Sequence, residues 1–181
     1  MTTSADTIVL IRGGGDLATG VVLRLHHSGF SVVVTELETP LAVRRTVSVA
    51  SAVFEGNLKI EDMEAQLVNS AKEAIELSHT GLISVMVSPG LPDVNPSVVI
   101  DARLAKKNID THISDADLVI GMGPGFTAGE DCHMVIETKR GHSLGRVIRT
   151  GSALEDTGIP EPVAGHGGNR VLRSPEDGQI I

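Results

Sequence analysis

Apolar positions along the first hundred residues follow two alternating periods. Residues 7–11 form a short, continuous run rich in β-branched side chains, and three glycines follow it directly. Such a run reads as a strand buried on both faces, ended where the backbone must turn tightly. Leu17, Val21 and Leu25 then recur at i, i+4 and i+8 beside Ala18 and Val22. This is one apolar helix stripe, with Asp16 placed to cap its N-terminus and Gly29 to stop it. Residues 31–35 are a second β-branched run. Strand, glycine turn, helix and strand fit the ~30 residues of a βαβ unit, whose crossover is expected to be right-handed.

Beyond Glu36, Thr39-Pro40 offers an N-cap followed by proline at the first helical position, which predicts a second helix carrying Leu41, Arg44 and Arg45. Residues 52–62 read as a strand, a turn at Glu55-Gly56-Asn57 and a short return strand. Helical spacing covers 68–77, a strand 82–87, a loop 88–93, and further buried strands 98–101 and 118–121. Residues 132–138 and 145–150 alternate around a turn at 139–143, which predicts an antiparallel hairpin. The expected fold is therefore α/β: a Rossmann-like, mostly parallel sheet with helices on both faces, plus a C-terminal antiparallel hairpin. It occupies residues 1–150, followed by a Gly/Pro-rich linker or surface loop over 151–170.

Composition narrows the partners. The chain has 181 residues, 41% apolar and 21% charged, the balance of a globular protein. A net charge of -8, with three Phe, no Tyr and no Trp, argues against nucleic acid, which calls for clustered cations and stacking aromatics. Cys132 is the sole cysteine, so no intrachain disulfide can form; a reducing compartment, the cytoplasm, is the expected setting. No run approaches the ~18 apolar residues of a membrane span, and the first residues lack a signal-peptide pattern.

Candidate chemistry centres on Arg12-Gly13-Gly14-Gly15-Asp16-Leu17-Ala18. Gly13-x-Gly15-x-x-Ala18 matches the dinucleotide fingerprint: a tight turn, a close backbone approach to a pyrophosphate, and close helix packing on the strand. Helix amides and the helix dipole would hold the negative charge. Glu36 lies 21 residues after Gly15, the spacing at which a carboxylate accepts from an adenosine ribose. Arg12 either reaches the phosphate or lies at an exposed strand edge. Arg44 and Arg45 offer guanidinium groups to a 2′-phosphate or another anion, or else form a solvated helix face. Glu36 repels a 2′-phosphate, which places NAD-like ligands ahead of NADP-like ones.

A second glycine-rich stretch, 121–129, follows an apolar strand and contains Gly123, Pro124, Gly125, Phe126 and Thr127. Both loops would lie at the carboxyl edge of a parallel sheet, where they are expected to face one ligand. Cys132, His133, Glu137 and His142 do not have the spacing of a metal site, and Cys132 reads as a small buried hydrophobe. Asp93 and Asp101, near strand ends, read as loop carboxylates with acid-base chemistry as the alternative. No residue stands out as catalytic, and whether the chain is an enzyme stays open.

Several runs carry a family resemblance. Ile11-Arg12-Gly13-Gly14-Gly15-Asp16-Leu17-Ala18-Thr19-Gly20, Thr35-Glu36-Leu37-Glu38-Thr39-Pro40 and Gly123-Pro124-Gly125-Phe126-Thr127-Ala128-Gly129, together with the stretches 44–48, 99–108 and 137–148, resemble YqeB-type accessory proteins of selenium-dependent molybdenum hydroxylases. The resemblance implies a nucleotide-binding maturation factor acting during molybdenum-cofactor loading of a hydroxylase client. Its ligand would be an adenine nucleotide, an NAD-like dinucleotide or the pterin-dinucleotide form of the molybdenum cofactor. A homo-oligomer is compatible with it. The family continues into a barrel similar to a biotinyl or lipoyl carrier, and residues 171–181 resemble only the start of that barrel. An NAD-dependent oxidoreductase and a non-catalytic nucleotide-sensing module are the competing readings.

Overall fold

The computed structural model describes residues 4–159, 164–166 and 175–176. The expected barrel stub at 171–181 and the later part of the 151–170 segment lie almost wholly outside the described residues. A nine-stranded sheet organises the rest. Its strands are β1 (Ile8–Arg12), β2 (Ser31–Glu36), β3 (Asn57–Ile60), β4 (Met63–Val68), β5 (Ile83–Val87), β6 (Val98–Asp101), β7 (Leu118–Met122), β9 (Met134–Ile136) and β10 (Val147–Ile148). A separate two-stranded antiparallel ladder joins β8 (Thr127–Ala128) to β11 (Gly151–Ser152).

The order across the large sheet is β10-β9-β7-β6-β1-β2-β5-β4-β3. Every pair from β9 to β4 is parallel, and an antiparallel hairpin closes each edge. Strand β1 sits at the switch point: the chain runs from it to β2 on one side, and β6 lies on the other. In open parallel sheets that crevice is where ligands bind.

The central strands read as unbroken apolar runs because both of their faces are covered. Val9, Ile11, Val32 and Val34 pack with Ala18 and Val22 of helix α1 (Asp16–His27). Leu10 and Val33 face the other way, in one cluster with Ala74 of helix α3 (Ala71–Ser78). Beyond α3, that second face is covered by Phe126, Ala128 and Ala153, from β8, β11 and the residues beside them. Edge strand β3, with one face open, alternates in exposure instead.

Three local expectations change. No α-helix follows Thr39-Pro40 directly: residues 37–44 are irregular, and short 3-10 turns form at Arg45–Val47 and Val49–Ser51. A helix there would have no stripe to bury, since Leu41 and Val43 are 83% and 94% exposed. Helix α2 (Ala52–Glu55) replaces the first predicted strand of 52–62, and the hairpin is displaced to β3 and β4. Finally, Gly15 rather than Asp16 occupies the N-cap of α1, and no side chain caps that helix. Among the described residues, no helix is long and apolar enough to cross a membrane.

Candidate functional site

The glycine turn lies at the carboxyl edge of β1, on the floor of a cleft of about 770 Å³. Its walls are the start of α1, the end of β2 with residues 37–43, Ser88-Pro89 after β5, and the loop after β6 at 102–105 with Ile109. Leu17, Leu37, Leu41, Val43 and Ile109, all substantially exposed, give it an apolar rim.

Three consecutive glycines serve three purposes. Gly13 has φ +90°, and a Cβ there would lie 2.9 Å from the Cα of Arg103. Gly14 packs against Ala50 and Val49, and its N–H donates to Glu36 Oε1 at 2.7 Å. Gly15 is different: its φ and ψ are -64° and 178°, open to any residue, and no atom stands within 4 Å of where a Cβ would be. Nothing in the fold asks for glycine there.

Glu36 lines the cleft at the end of β2. Its second oxygen accepts from Leu37 N–H at 2.8 Å, and a carboxylate offers about four acceptor sites, so two remain for hydroxyl donors. Asp16, Leu17 and Ala18 form the first turn of α1 along the cleft. Their orphan amides and the helix dipole favour an anion.

Arg12 does not sit at an exposed edge: it lines the cleft, and its guanidinium is held by partners within the chain. It is 2% exposed and donates to Thr111 Oγ1 at 2.8 Å and to Asp110 at 2.8 and 2.9 Å. Arg103 donates to the same Asp110 at 2.8 Å and to the buried Asp101 at 3.1 Å. Thr111 Oγ1 donates to Asp101 Oδ2 at 2.7 Å. This network, placed under the cleft wall, is invisible to sequence spacing, because Arg12 and Asp110 are 98 residues apart. The only hints are an arginine where the fingerprint has an apolar residue, and an Asp-x-Arg step at the end of an adjacent apolar strand.

Arg44 and Arg45 are not on an α-helix: Arg45 opens the 3-10 turn, and neither residue lines the cleft. Arg44 pairs with Asp16 at 2.8 Å, and Arg45 lies 4.3 Å over the ring of Phe54. Both guanidinium groups already have partners within the chain.

The second glycine stretch also fails to face this cleft, because β6 and the loop after it lie between β7 and β1. Gly125, at φ +105°, lies hard against the backbone of Lys107, and its carbonyl accepts from Asn108 N–H at 3.1 Å. A Cβ on Gly123 would meet Thr138 and Leu104, and one on Gly121 would run into the side chain of Phe126. Thr127 meets Ser152 at 3.2 Å and donates its N–H to Asp131 at 2.8 Å. This stretch therefore braces the cleft wall from behind. Pro124 belongs to a separate cavity of about 230 Å³ beside Lys106, Glu137–Arg140 and Leu154–Thr157.

At that cavity Glu137 is buried, accepting from Lys139 N–H at 2.7 Å and Leu154 N–H at 2.8 Å. Burial disfavours its charge, but the N–H groups of Leu154, Lys139 and Thr138 together outweigh it and hold the carboxyl below its ordinary range. Cys132 is buried, and that burial pushes its thiol up. His133 Nδ1 accepts from Val119 N–H at 2.9 Å. Among the described residues no group of three His, Cys, Asp or Glu is placed to hold a metal ion.

Comparison with known proteins gives one informative likeness. No family model matches the chain, and no solved structure matches it. Among curated proteins it is 49% identical over 178 residues to the uncharacterized protein YqeB of Escherichia coli (strain K12). The alignment takes in 97% of this chain and 33% of that protein, so the chain spans about a third of the length of the relative it matches. The likeness supports a place for the chain among YqeB-type proteins, through a region that makes up one third of YqeB.

Proposed function

We propose that the cleft over Gly13-Gly14-Gly15 binds a nucleotide that carries a phosphate or diphosphate. On this reading the chain is the nucleotide-binding part of an accessory factor for molybdenum-cofactor loading of a hydroxylase. Gly15 carries the binding argument. Glycine stands where neither backbone angle nor packing calls for it, at the N-cap of a helix without a side-chain cap, facing open space. A missing side chain there serves close approach by something outside the chain. Beside it, Glu36 has acceptor sites left for ribose hydroxyls, and the apolar rim suits a flat heteroaromatic ring. Support for the maturation role is the motif resemblance, joined by the identity to YqeB.

Thermal denaturation with NAD, ATP, S-adenosylmethionine and a pterin dinucleotide tests the binding, because a ligand that binds only the folded state raises its stability. A rise of the midpoint with one or more of them is expected, and its ranking identifies the class. No shift with any of the four overturns the site. Co-purification of a molybdenum hydroxylase with the full-length protein tests the maturation role, which fails if no such enzyme is retained.

A further inference from the structure

The four charged groups beside the glycine loop balance: Arg12 and Arg103 against Asp101 and Asp110. The two carboxylates are held very differently. Asp101, at the end of β6, is 1% exposed and takes Arg103 Nε, Thr111 Oγ1 and Arg103 N–H. Asp110 is 43% exposed, and the side-chain partners of its carboxylate are the two arginines. It rides on a loop in which Leu104 and Lys106 have φ of +53° and +63°, a region that side chains with a Cβ adopt at a cost. That same loop is a wall of the cleft, and the backbone of its Arg103 leaves no room for a Cβ on Gly13.

We propose that Asp110 is an internal stand-in for an anionic group of the ligand. An incoming phosphate takes the guanidinium faces of Arg103 and Arg12 that Asp110 now occupies, and the 104–110 loop moves away with its carboxylate. This rests on the reading of the cleft as a nucleotide site. The charge fits, since without Asp110 the cluster keeps two cations and one anion, a net positive charge. Paired guanidinium groups match phosphate geometry, and the first turn of α1, which lines the same cleft, adds its dipole. Asp101 and Thr111 stay in place and keep the arginines oriented. This cluster is thus neutral when empty and cationic once opened, which favours ligands with a phosphate over the bare nucleoside.

Calorimetric titration of the wild type and Asp110→Asn with adenosine, ADP and inorganic pyrophosphate tests this. The variant is expected to bind ADP and pyrophosphate about ten-fold more tightly, with adenosine unchanged, since a competing charge has been removed. Equal or weaker ADP and pyrophosphate binding by the variant overturns the exchange. If the wild type binds adenosine and ADP but the variant changes neither, the exchange fails and the nucleotide reading stands. Pyrophosphate capture by the variant, with no nucleotide bound by either protein, keeps the exchange and removes the nucleotide reading. No binding of any probe by either protein overturns both. Should Asp110→Asn fail to fold, hydrogen exchange of the wild type decides: faster exchange over 104–110 with ADP supports displacement, and unchanged exchange there overturns it.

Discussion

The carboxylate of Glu36 accepts the N–H of Gly14 at 2.7 Å, joining the end of β2 to the glycine turn 22 residues earlier. This bond fixes the turn and turns the carboxylate toward the cleft. Glu36→Ala leaves a partly buried N–H unpaired, at a cost of about 1–3 kcal/mol. Denaturant unfolding should show that loss. If a ribose is bound there, the variant should also lose selectivity for NAD over NADP, because the charge that repels a 2′-phosphate is gone.

Gly13 and Gly15 should behave oppositely when each is changed to alanine. At Gly13 the positive φ and the 2.9 Å approach to Arg103 both oppose a Cβ, and a loss of about 1–3 kcal/mol is expected. At Gly15 the melting midpoint should barely change, while affinity for the ligand that stabilises the wild type falls at least about ten-fold as the Cβ enters the phosphate position. Paired melting and titration measurements check both. Intact affinity in folded Gly15→Ala removes the phosphate from that position.

Gly125→Ala probes the brace behind the cleft. The new Cβ would meet Lys107 backbone at φ +105°, forcing the 102–109 wall to shift. Nucleotide affinity should fall although residue 125 does not line the cleft. Unchanged affinity, measured by titration, would separate the second glycine stretch from the site altogether.

Glu137 sets a pH dependence. Its carboxyl in the folded chain lies below its ordinary value of 4.5, so the folded state binds the proton less readily than the unfolded one. The resulting stability is complete well above pH 4.5 and is lost as pH falls through the folded value. Glu137→Gln should be less stable than the wild type at neutral pH, and the gap should narrow on acidification below 4.5. Melting curves across that range test the sign.

Cys132 is fully buried with its thiol pushed up by that burial. It should react with a thiol reagent slowly in native protein and rapidly in denaturant. Cys132→Ala should retain ligand binding. Fast native labelling would show that the strand region around it opens.

Much of the fold was legible in the chain because local periods carry it. The apolar runs expected at 7–11, 31–35 and 82–87 become β1, β2 and β5, and α1 lies on the sheet through Ala18 and Val22, while Leu17 of the expected Leu17-Val21-Leu25 stripe is exposed at the cleft rim. Glycines at 13 and 15, followed by Glu36, marked the cleft, since each answers to a local task or a fixed spacing. Thr39-Pro40 gave a misleading helix signal: a helix started there would have nothing to pack against, since Leu41 and Val43 are exposed. Which elements share that cleft was decided by strand order. With β6 between β1 and β7, the second glycine stretch is set behind the wall, and the distant 102–111 loop supplies the wall itself. The pairing of Arg12 with Asp110 was likewise settled only in three dimensions: a contact across 98 residues leaves no period in the sequence, and its charges find each other only after the sheet has placed β1 beside β6.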